Sequence, residues 1–393
     1  MPDIIRAVQS AVQAAQAKLR AADLRRWLPW VLRALIVLHL GLWIAPLYPR
    51  AALGPPQTVQ TEHPLVCVHT RLTDEIEPWK IQRTLQLVRE MGAEAIVDFF
   101  PWAYVEHAKG RYDWWHTDQI MAHAENQGVK VIARMGLVPA WARPDPAVQE
   151  TSLNYIDPAH YRDFAEFSAA FAARYAHALE GIILWNEPNL GFEWGYRAPD
   201  PAAYTELLRV SYPLIKAAAP GVPVLAGALA PTLEPVGSPN GMNDLIYLEE
   251  MYRAGAGDYF DALAIHTYGF KFPPGDLPGA DVLNFRRAEL TRDLMVRYGD
   301  GDKPAYITEA GWNDHPRWTR AVRPGQRIAY TLEAFEWAEA NWDWLERLCI
   351  WAFRYPQRQG NWRDYFTFLT PDFERKPIYE AVQAYARGWE WEP

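Results

Sequence analysis

Cysteine is scarce in this sequence of 393 residues, which contains only Cys67 and Cys349. Two cysteines cannot form a disulfide framework of the kind that holds small secreted domains together. They also provide too few thiolates for a zinc site made of cysteines or for an iron–sulfur cluster. The chain must therefore be stabilised mainly by a hydrophobic core, which its length is sufficient to form.

Positive charge is also in the minority, with 39 Lys and Arg against 48 Asp and Glu and a net charge of −9. A basic face is needed to bind phosphate backbones, so we expect no nucleic-acid partner. His63, His69 and the histidines of residues 107–116 are too scattered to suggest metal-ligand spacing. We therefore expect neither a metal nor a cofactor.

Tryptophan is the residue in excess, with 19 copies, in a chain that is otherwise 50% apolar and 22% charged. That overall mixture is typical of a globular protein. Indole rings fill cores, and they also form platforms for ligands with flat apolar faces. The excess therefore favours either a large core or a ligand site rich in aromatic residues.

The N-terminus differs from the rest of the chain. Residues 1–26 predict a basic, partly amphipathic helix, and residues 48–63 predict a linker. Between them, Trp27 to Leu47 is an apolar run interrupted by Arg33 and His39. A helix of about 20 apolar residues spans a bilayer, so this run predicts a single transmembrane helix.

Three interpretations of the apolar run remain open. An uncleaved signal anchor would keep the basic N-terminus in the cytoplasm and export the rest of the chain. A cleaved signal peptide would export the same part. A helix buried in, or lying on, a soluble protein is the third, because an arginine and a histidine make a membrane span costly.

From residue 64 onwards, short apolar runs alternate with longer amphipathic runs. Runs of this kind predict parallel strands buried on both faces, each followed by a helix. Eight units over about 325 residues predict a (β/α)₈ TIM barrel for residues 64–393. An open doubly wound sheet is the alternative, but no glycine-rich phosphate loop follows the first strand. The predicted strands are Leu65–His69, Ala95–Phe99, Lys130–Arg134, Gly181–Trp185, Pro223–Gly227, Ala262–His266, Ala305–Thr308 and Leu348–Ala352.

The two cysteines fall on the first and last of these strands, which are neighbours in a closed barrel. We expect two free buried thiols, because buried cysteine behaves as a small apolar residue. A disulfide in an oxidising compartment is the alternative.

Two glutamates come directly after apolar strands, at the end of a barrel where chemistry takes place. Glu187 follows the fourth strand in the run WNEPN, and Glu309 follows the seventh in the run ITEAGW. Either motif alone could be chance or a helix cap. Together they place two carboxyl groups on opposite sides of the barrel mouth. Glycoside hydrolysis requires such a pair, one protonated to donate and one ionised to attack the anomeric carbon.

These motifs resemble those of clan A of the glycoside hydrolases, which are retaining TIM-barrel enzymes, over roughly residues 64–388. The resemblance implies that Glu187 is the acid/base and Glu309 the nucleophile. It also implies that Asn186 donates a hydrogen bond to the sugar 2-hydroxyl. The layout is most similar to family 39 and its membrane-tethered relatives that cleave exopolysaccharides.

Other parts of the chain extend the resemblance. The run IHTYG resembles the clan's His-x-Tyr, which implies that Tyr268 contacts the nucleophile and that His266 lines the subsite, although His266 can also be a hydrogen-bonded core residue. Trp351 resembles the clan's sugar-platform tryptophan. The clan's usual arginine after strand two is missing. Either Arg71 or Arg134 replaces it, or these arginines belong to an internal ion-pair network.

Further tryptophans also fall at or just after strand ends. Their rings either stack on the C–H faces of sugars or pack the loops. These residues are Trp102, Trp141, Trp194 and Trp312.

The sequence thus predicts a single-pass, membrane-anchored glycosidase with its barrel outside the cytoplasm. The expected reaction is retaining, two-carboxylate hydrolysis of β-glycosidic bonds in a poly- or oligosaccharide. A non-hydrolytic glycan-binding or assembly subunit and a transglycosylase on the same barrel are the alternatives.

Overall fold

The computed structural model describes residues 2–44, 51–145, 147, 149 and 151–391. The chain divides into two compact units, residues 1–50 and residues 51–393. In the first unit, a single helix, α1, spans Pro2–Ile44 and contains Pro29. Residues 2–26 of the predicted basic helix and residues 27–44 of the predicted membrane span are therefore parts of one continuous element.

The predicted transmembrane helix is not confirmed. Within the described part of the chain, no helix has both the length and the apolar character needed to cross a bilayer. The predicted span Trp27–Leu47 is interrupted by Pro29, Arg33 and His39, and residues 45–47 lie outside the described residues.

The second unit is a closed barrel of eight parallel strands in chain order, in which β8 pairs with β1. This architecture confirms the predicted (β/α)₈ barrel, and each of the eight predicted strands overlaps an observed one. The strands are β1 Val66–His69, β2 Ala95–Pro101, β3 Lys130–Gly136, β4 Leu179–Leu184, β5 Val224–Leu229, β6 Ala262–Tyr268, β7 Ala305–Gly311 and β8 Leu345–Ile350.

Helices follow or connect these strands, and their limits coincide with ordinary start and stop signals. For example, α6 begins at Pro201, where the Asp200 side chain accepts a hydrogen bond from the Ala203 N–H. Helix α2 ends at Met91 and is capped by Gly92, whose φ of 97° is left-handed. The helices are α2 Pro78–Met91, α3 Trp102–Val105, α4 Trp115–Asn126, α5 Tyr161–Tyr175, α6 Pro201–Ala218, α7 Asp244–Arg253, α8 Arg287–Arg297, α9 Pro324–Asn341 and α10 Pro377–Ala386.

Strand side chains separate into two buried clusters because successive residues point to opposite faces of a sheet. One cluster packs between strands and helices and includes Val66 and Val68. The other fills the barrel interior and includes Cys67, Val97 and Ile132. The barrel is therefore a packed core, and polar chemistry is confined to its ends.

Residues 51–63, most of the predicted linker, lie against the barrel. The Gln57 N–H donates to the Asn126 carbonyl at 2.7 Å, and the Glu62 N–H donates to the Ala386 carbonyl at 2.8 Å. Residues 48–50 of the predicted linker lie outside the described residues.

The expectation of two free thiols is wrong. Cys67 and Cys349 face each other in the β1–β8 register and are joined by a disulfide inside the barrel. The barrel register opposes these two residues directly, and strand propensities alone do not specify that register. The bond links the first strand to the last and closes a loop with a sequence separation of 282 residues.

We expect this disulfide to stabilise the barrel by about 2–5 kcal/mol, because it restricts the unfolded chain across a very long loop. The Cys67→Ser/Cys349→Ser double variant should therefore unfold at a lower urea concentration than the parent. Reductant should lower the parent's midpoint and leave the double variant unchanged. Two reactive thiols in the denatured, unreduced parent would contradict the pairing.

Candidate active site

Glu187 and Glu309 lie at the carboxyl ends of β4 and β7, as predicted. Glu187 comes just after β4, where the backbone turns sharply, with φ of 77° at Trp185 and 42° at Glu187. Left-handed conformations at residues other than glycine are costly, and they concentrate at functional sites. The Glu187 N–H donates to the Ala228 carbonyl at 3.0 Å, which fixes this turn against the end of β5.

The two carboxyl groups are close together. One carboxylate oxygen of Glu187, one of Glu309 and a ring nitrogen of His266 all lie within 4.8 Å of one another. Such a group could in principle hold a metal ion. However, the Arg134 guanidinium lies 3.0 Å from Glu309, and its positive charge disfavours a second cation there.

Glu309 is buried, yet its surroundings favour the ionised form. The Tyr268 hydroxyl donates to its Oε2 at 2.7 Å, and Arg134 Nη1 donates to its Oε1 at 3.0 Å. Burial alone would raise the pKa of Glu309, but the charges of His266 and Arg134, with the Tyr268 hydrogen bond, lower it well below its usual range. Tyr268 remains a donor because burial raises its own pKa well above the ordinary value.

His69 lies beneath this site and is uncharged at neutral pH. Burial lowers the pKa of His69 to about 3. Its Nδ1–H donates to the Thr70 carbonyl at 2.9 Å, so the neutral ring turns its unprotonated Nε2 towards Glu309, 3.5 Å away. Arg134 and Tyr268, and not His69, therefore stabilise the Glu309 charge at neutral pH.

Glu187 has a different partner. His266 Nδ1 lies 2.8 Å from Glu187 Oε1 and 3.7 Å from Glu309 Oε2. Burial would lower the pKa of His266, but the charges of Glu309 and Glu187 and the hydrogen bond to Glu187 raise it. The raised pKa keeps the His266 imidazole protonated to a higher pH than an isolated imidazole, so its Nδ1–H can donate to Glu187 Oε1.

Arg134 is the arginine that stands next to the carboxylates. Besides Glu309, it donates to Asn186 Oδ1 at 2.8 Å and so connects the ends of β4 and β7. Arg71 instead pairs with Asp74 at 2.7 Å, although it also lines the cleft. Of the two arginines, Arg134 therefore contacts the carboxyl pair directly, through an ion pair with Glu309.

The carboxyl groups open into a cleft of about 510 Å³. Two further cavities of about 270 and 670 Å³ share Arg71 with it and so adjoin it. The lining of the main cleft includes Asn186, Glu187, Tyr268, Glu309 and Trp351 from the predicted site. His266 lies just below, in contact with both carboxylates.

Three predicted sugar-binding tryptophans do not line the cleft. Trp102 is fully buried and donates to the Glu106 carboxylate, and Trp312 is 1% exposed and donates to the Phe272 carbonyl. Trp141 packs edge-on against Trp102 and donates to the Glu106 carbonyl. The rings of these three residues pack the loops and offer no face to the cleft, so the prediction that they bind sugar is corrected. Trp194 is buried and also packs the loops.

Two other tryptophans, which strand-end patterns do not reveal, do line the cleft. Trp318 and Trp362 stack on each other at 5.7 Å, and Trp362 lies 6.0 Å from Trp351. They lie within the long loops after β7 and β8, several residues beyond the strand ends that the sequence analysis searched. Tryptophan within either of these loops was the signal that could have revealed them.

A third carboxyl group, that of Glu193, was also missed. It lines both the main cleft and the adjoining 270 Å³ cavity. Burial and the charge of Glu187 raise the pKa of Glu193 to about 7, although Arg134 and a hydrogen bond from Asn186 oppose the shift. The loop after β4 folds back to bring this residue beside Asn186, a geometry that strand-end patterns do not encode.

Several solved structures that resemble this barrel are glycoside hydrolases. A family 39 glycoside hydrolase from the gut symbiont Bacteroides cellulosilyticus WH2 is 23% identical with a TM-score of 0.67, over 85% of this chain and 65% of that one. A monomeric β-xylosidase from Caulobacter crescentus CB15 is 19% identical with a TM-score of 0.59, over 84% and 69%. Both share the eight-stranded barrel fold with this chain.

A glycoside hydrolase of family 5, subfamily 18, from Streptomyces cattleya, solved with GlcNAc, is 16% identical with a TM-score of 0.61, over 84% of this chain and 81% of that one. Identities this low establish the fold alone. The chain also spans just under two thirds of the length of the Bacteroides enzyme. No protein-family model matches the sequence, and no curated protein matches it.

The Glu187–His266 pair leads to a pH prediction for any acid-catalysed activity of this site. Because the pKa of His266 is raised, its charged imidazole should persist beside the two carboxyl groups to a higher pH than an isolated imidazole. His266→Asn removes this titrating group and should therefore remove the inflection that the kcat/KM profile of the parent shows above the ordinary imidazole pKa. His63→Asn, which alters an imidazole paired with Glu339 away from the cleft, serves as the control. An inflection that is the same in the parent and in His266→Asn would contradict a role for the charged imidazole.

Proposed function

We propose that the protein is a retaining glycosidase that cleaves β-glycosidic bonds in a poly- or oligosaccharide by double displacement. The observation that supports this most directly is the carboxyl pair, with oxygens of Glu187 and Glu309 within 4.8 Å of each other. Carboxyl groups about 5–5.5 Å apart suit a direct attack on the sugar, whereas inverting enzymes leave more room for a water molecule.

In the first step of the proposed mechanism, the Glu309 carboxylate attacks the anomeric carbon. Glu187 gives its proton to the glycosidic oxygen, which leaves as a hydroxyl group, and a glycosyl ester forms on Glu309. In the second step, Glu187 takes a proton from water as the water attacks the anomeric carbon. The ester bond breaks, Glu309 is again a carboxylate, and the sugar leaves with its original anomeric configuration.

The different surroundings of the two carboxyl groups support this division of roles. Glu309 receives hydrogen bonds from Arg134 and Tyr268, which favour the ionised nucleophile. Glu187 instead faces His266, with which it can exchange a proton. Two carboxyl groups in unequal environments are the usual arrangement for separate acid and nucleophile roles.

The tryptophans at the cleft support a carbohydrate substrate. Trp318, Trp351 and Trp362 form one side of the cleft, and their rings can accept the C–H faces of pyranose sugars. The two adjoining cavities provide room for more than one sugar unit beside the carboxyl pair.

Release of reducing ends from β-glucans, xylans, mannans, galactans and bacterial exopolysaccharides tests the proposal. We expect the full chain to be active on at least one polymer. Glu309→Ala should lower the rate on the order of 10⁴-fold, because the nucleophile is lost. Glu346→Ala, which removes an exposed carboxylate from β8 outside the cleft, should have no effect.

The acid role of Glu187 has a separate signature. Glu187→Ala should be strongly impaired on polymers and much less impaired on 2,4-dinitrophenyl glycosides, whose leaving group needs no proton. Equal impairment on both substrates would contradict acid catalysis by Glu187. Release of reducing ends by Glu309→Ala at the parent rate would contradict the whole mechanism.

We also propose that the barrel works outside the cytoplasm and that α1 holds the protein at a membrane. The Cys67–Cys349 disulfide supports an oxidising compartment. Apolar side chains along residues 28–38 of α1 are largely exposed, with Trp30 at 61% and Val37 at 68%, which is typical of an interaction surface.

Fractionation of cells that produce the full chain tests this location. We expect the protein to remain with membranes after a carbonate wash and the barrel to be digested by protease added to intact spheroplasts. Replacing Leu35 and Val37 with Asp should release the protein from the membrane. Recovery of the parent in the soluble cytoplasmic fraction would contradict the proposed location.

A further inference from the structure

The aromatic side chains of the main cleft form one cluster around Phe366. This residue is 3% exposed, and its ring meets the rings of Tyr268, Trp351, Trp362 and Trp318 edge-on, with centroids 5.1 to 6.2 Å apart. Edge-to-face contacts of this kind are favourable for aromatic pairs. The cluster therefore joins the end of β6 to the loops after β7 and β8.

The cluster extends from the carboxyl pair to the outer part of the cleft. The Tyr268 hydroxyl donates to Glu309 at 2.7 Å, and the Tyr268 ring lies 6.5 Å from that of Trp351. Trp362 lies 6.0 Å from Trp351, and Trp318 lies 5.7 Å from Trp362. Within the described part of the chain, no ring contact joins Trp318 directly to Tyr268 or Trp351. Trp362 is 38% exposed, so the outer end of the cluster is open to a ligand.

Asn313 joins the two loops that carry these outer tryptophans. It is fully buried, and its Nδ2 donates to the Trp362 carbonyl at 2.7 Å. Its Oδ1 accepts from the His315 N–H at 2.8 Å, and its carbonyl accepts from the Val322 N–H at 2.8 Å. Trp318 lies between His315 and Val322 in the chain. Asn313 therefore ties the turn that carries Trp318 to the backbone of Trp362.

Arg327 supports the same two loops from α9. It is 4% exposed, and its Nη2 donates to the carbonyls of Phe366 and of Thr367, the second at 3.1 Å. Its Nη1 lies 3.4 Å from the carboxylate of Asp314 in the loop after β7. Both loops are thus held by buried hydrogen bonds, and the outer tryptophans are placed before any ligand binds.

We propose that Trp318 and Trp362 form an outer sugar subsite, which binds a pyranose unit beyond the two that flank the cleaved bond, and that Asn313 is its positioning residue. This inference rests on the proposed glycosidase function. Partly exposed indole rings that continue a cleft are typical of a ligand site, and their atoms can contact the C–H groups of a sugar.

A polar group accompanies the two rings, as recognition of a sugar requires. The Arg363 guanidinium lies 5.1 Å from the centre of the Trp362 ring and also lines the main cleft. Its N–H groups can donate to sugar hydroxyls while the rings cover the C–H face. Because the loops are already fixed, little ordering is needed when the sugar binds, which favours affinity.

The subsite predicts losses that depend on substrate length. The long substrate is a six-unit oligosaccharide prepared from the panel polymer that the parent cleaves fastest. The short one is the 2,4-dinitrophenyl glycoside of the same sugar, which occupies only the positions next to the cleaved bond. Trp318→Ala should lower the ratio of long-substrate to short-substrate kcat/KM about tenfold, the scale of one aromatic contact. The loss should appear mainly as a higher KM on the long substrate, because ground-state binding is lost.

Asn313→Ala tests the positioning role, because it removes the bond between the loops and keeps both tryptophans. It should lower the same ratio several-fold. Added to the Trp318→Ala/Trp362→Ala double variant, it should cause no further fall in the ratio, because Asn313 acts through these rings. Asn341→Ala is the matched control, since Asn341 Nδ2 donates to the Trp337 carbonyl at 2.8 Å on α9 and lines none of the three cavities.

Trp389→Ala is the control for Trp318→Ala, because Trp389 is 55% exposed and lines none of the three cavities. Thermal unfolding midpoints of all variants are measured alongside the rates. Trp318→Ala leaves the buried hydrogen bonds of Asn313 in place, so it tests the subsite even if Asn313→Ala does not fold.

Equal losses of Trp318→Ala on the long and short substrates would overturn the outer subsite. A further fall in the ratio when Asn313→Ala is added to the double variant would overturn the positioning role. A parent that cleaves no polymer would overturn the proposed function as well. An active parent whose ratio is unchanged in Trp318→Ala would overturn only the subsite.

Discussion

The negative charge of Glu309 inside the barrel mouth is the constraint on which the rest of the site depends. An isolated carboxylate at this depth would be very costly, and removing a partner from a buried charge costs about 3–5 kcal/mol. Arg134 and Tyr268 compensate that cost with direct hydrogen bonds. Because Arg134 also binds Asn186, the same residue that stabilises the Glu309 charge orients the neighbouring amide.

The remaining polar groups form a single connected set around this charge. From Glu309, hydrogen bonds run through Arg134 to Asn186, and Asn154 donates to Glu193 in the lining of the adjoining cavity. On the other side, His266 contacts both Glu309 and Glu187. The parallel barrel makes this possible, because every strand delivers its last residues to the same end.

The sequence was sufficient to predict the parts of the molecule that follow local rules. Apolar runs located all eight strands, and a glutamate at a strand end located each member of the carboxyl pair. The features that it did not predict depend on contacts between distant segments. The Cys67–Cys349 disulfide requires the β1–β8 register, and the cleft position of Trp318 and Trp362 requires the conformation of long loops.

Glu193 illustrates the same limit at the site itself. It follows Glu187 closely in sequence, but only the return of the loop onto β4 and its packing against Tyr155 place its carboxyl group beside Asn186. The tryptophans that follow strands also differ in whether they are buried or line the cleft. Trp102 and Trp312 follow strands, as Trp351 does, yet they point into the packing between loops and helices.

Covalent labelling is the most direct test of the central claim that Glu309 is an ionised nucleophile. The full chain would be incubated with 2,4-dinitrophenyl 2-deoxy-2-fluoro-β-glycosides, digested and mapped by mass spectrometry. The account predicts one added fluoroglycosyl group, on Glu309, and no label in Glu309→Ala. A label on another residue, or equal labelling of Glu309→Ala, would contradict it.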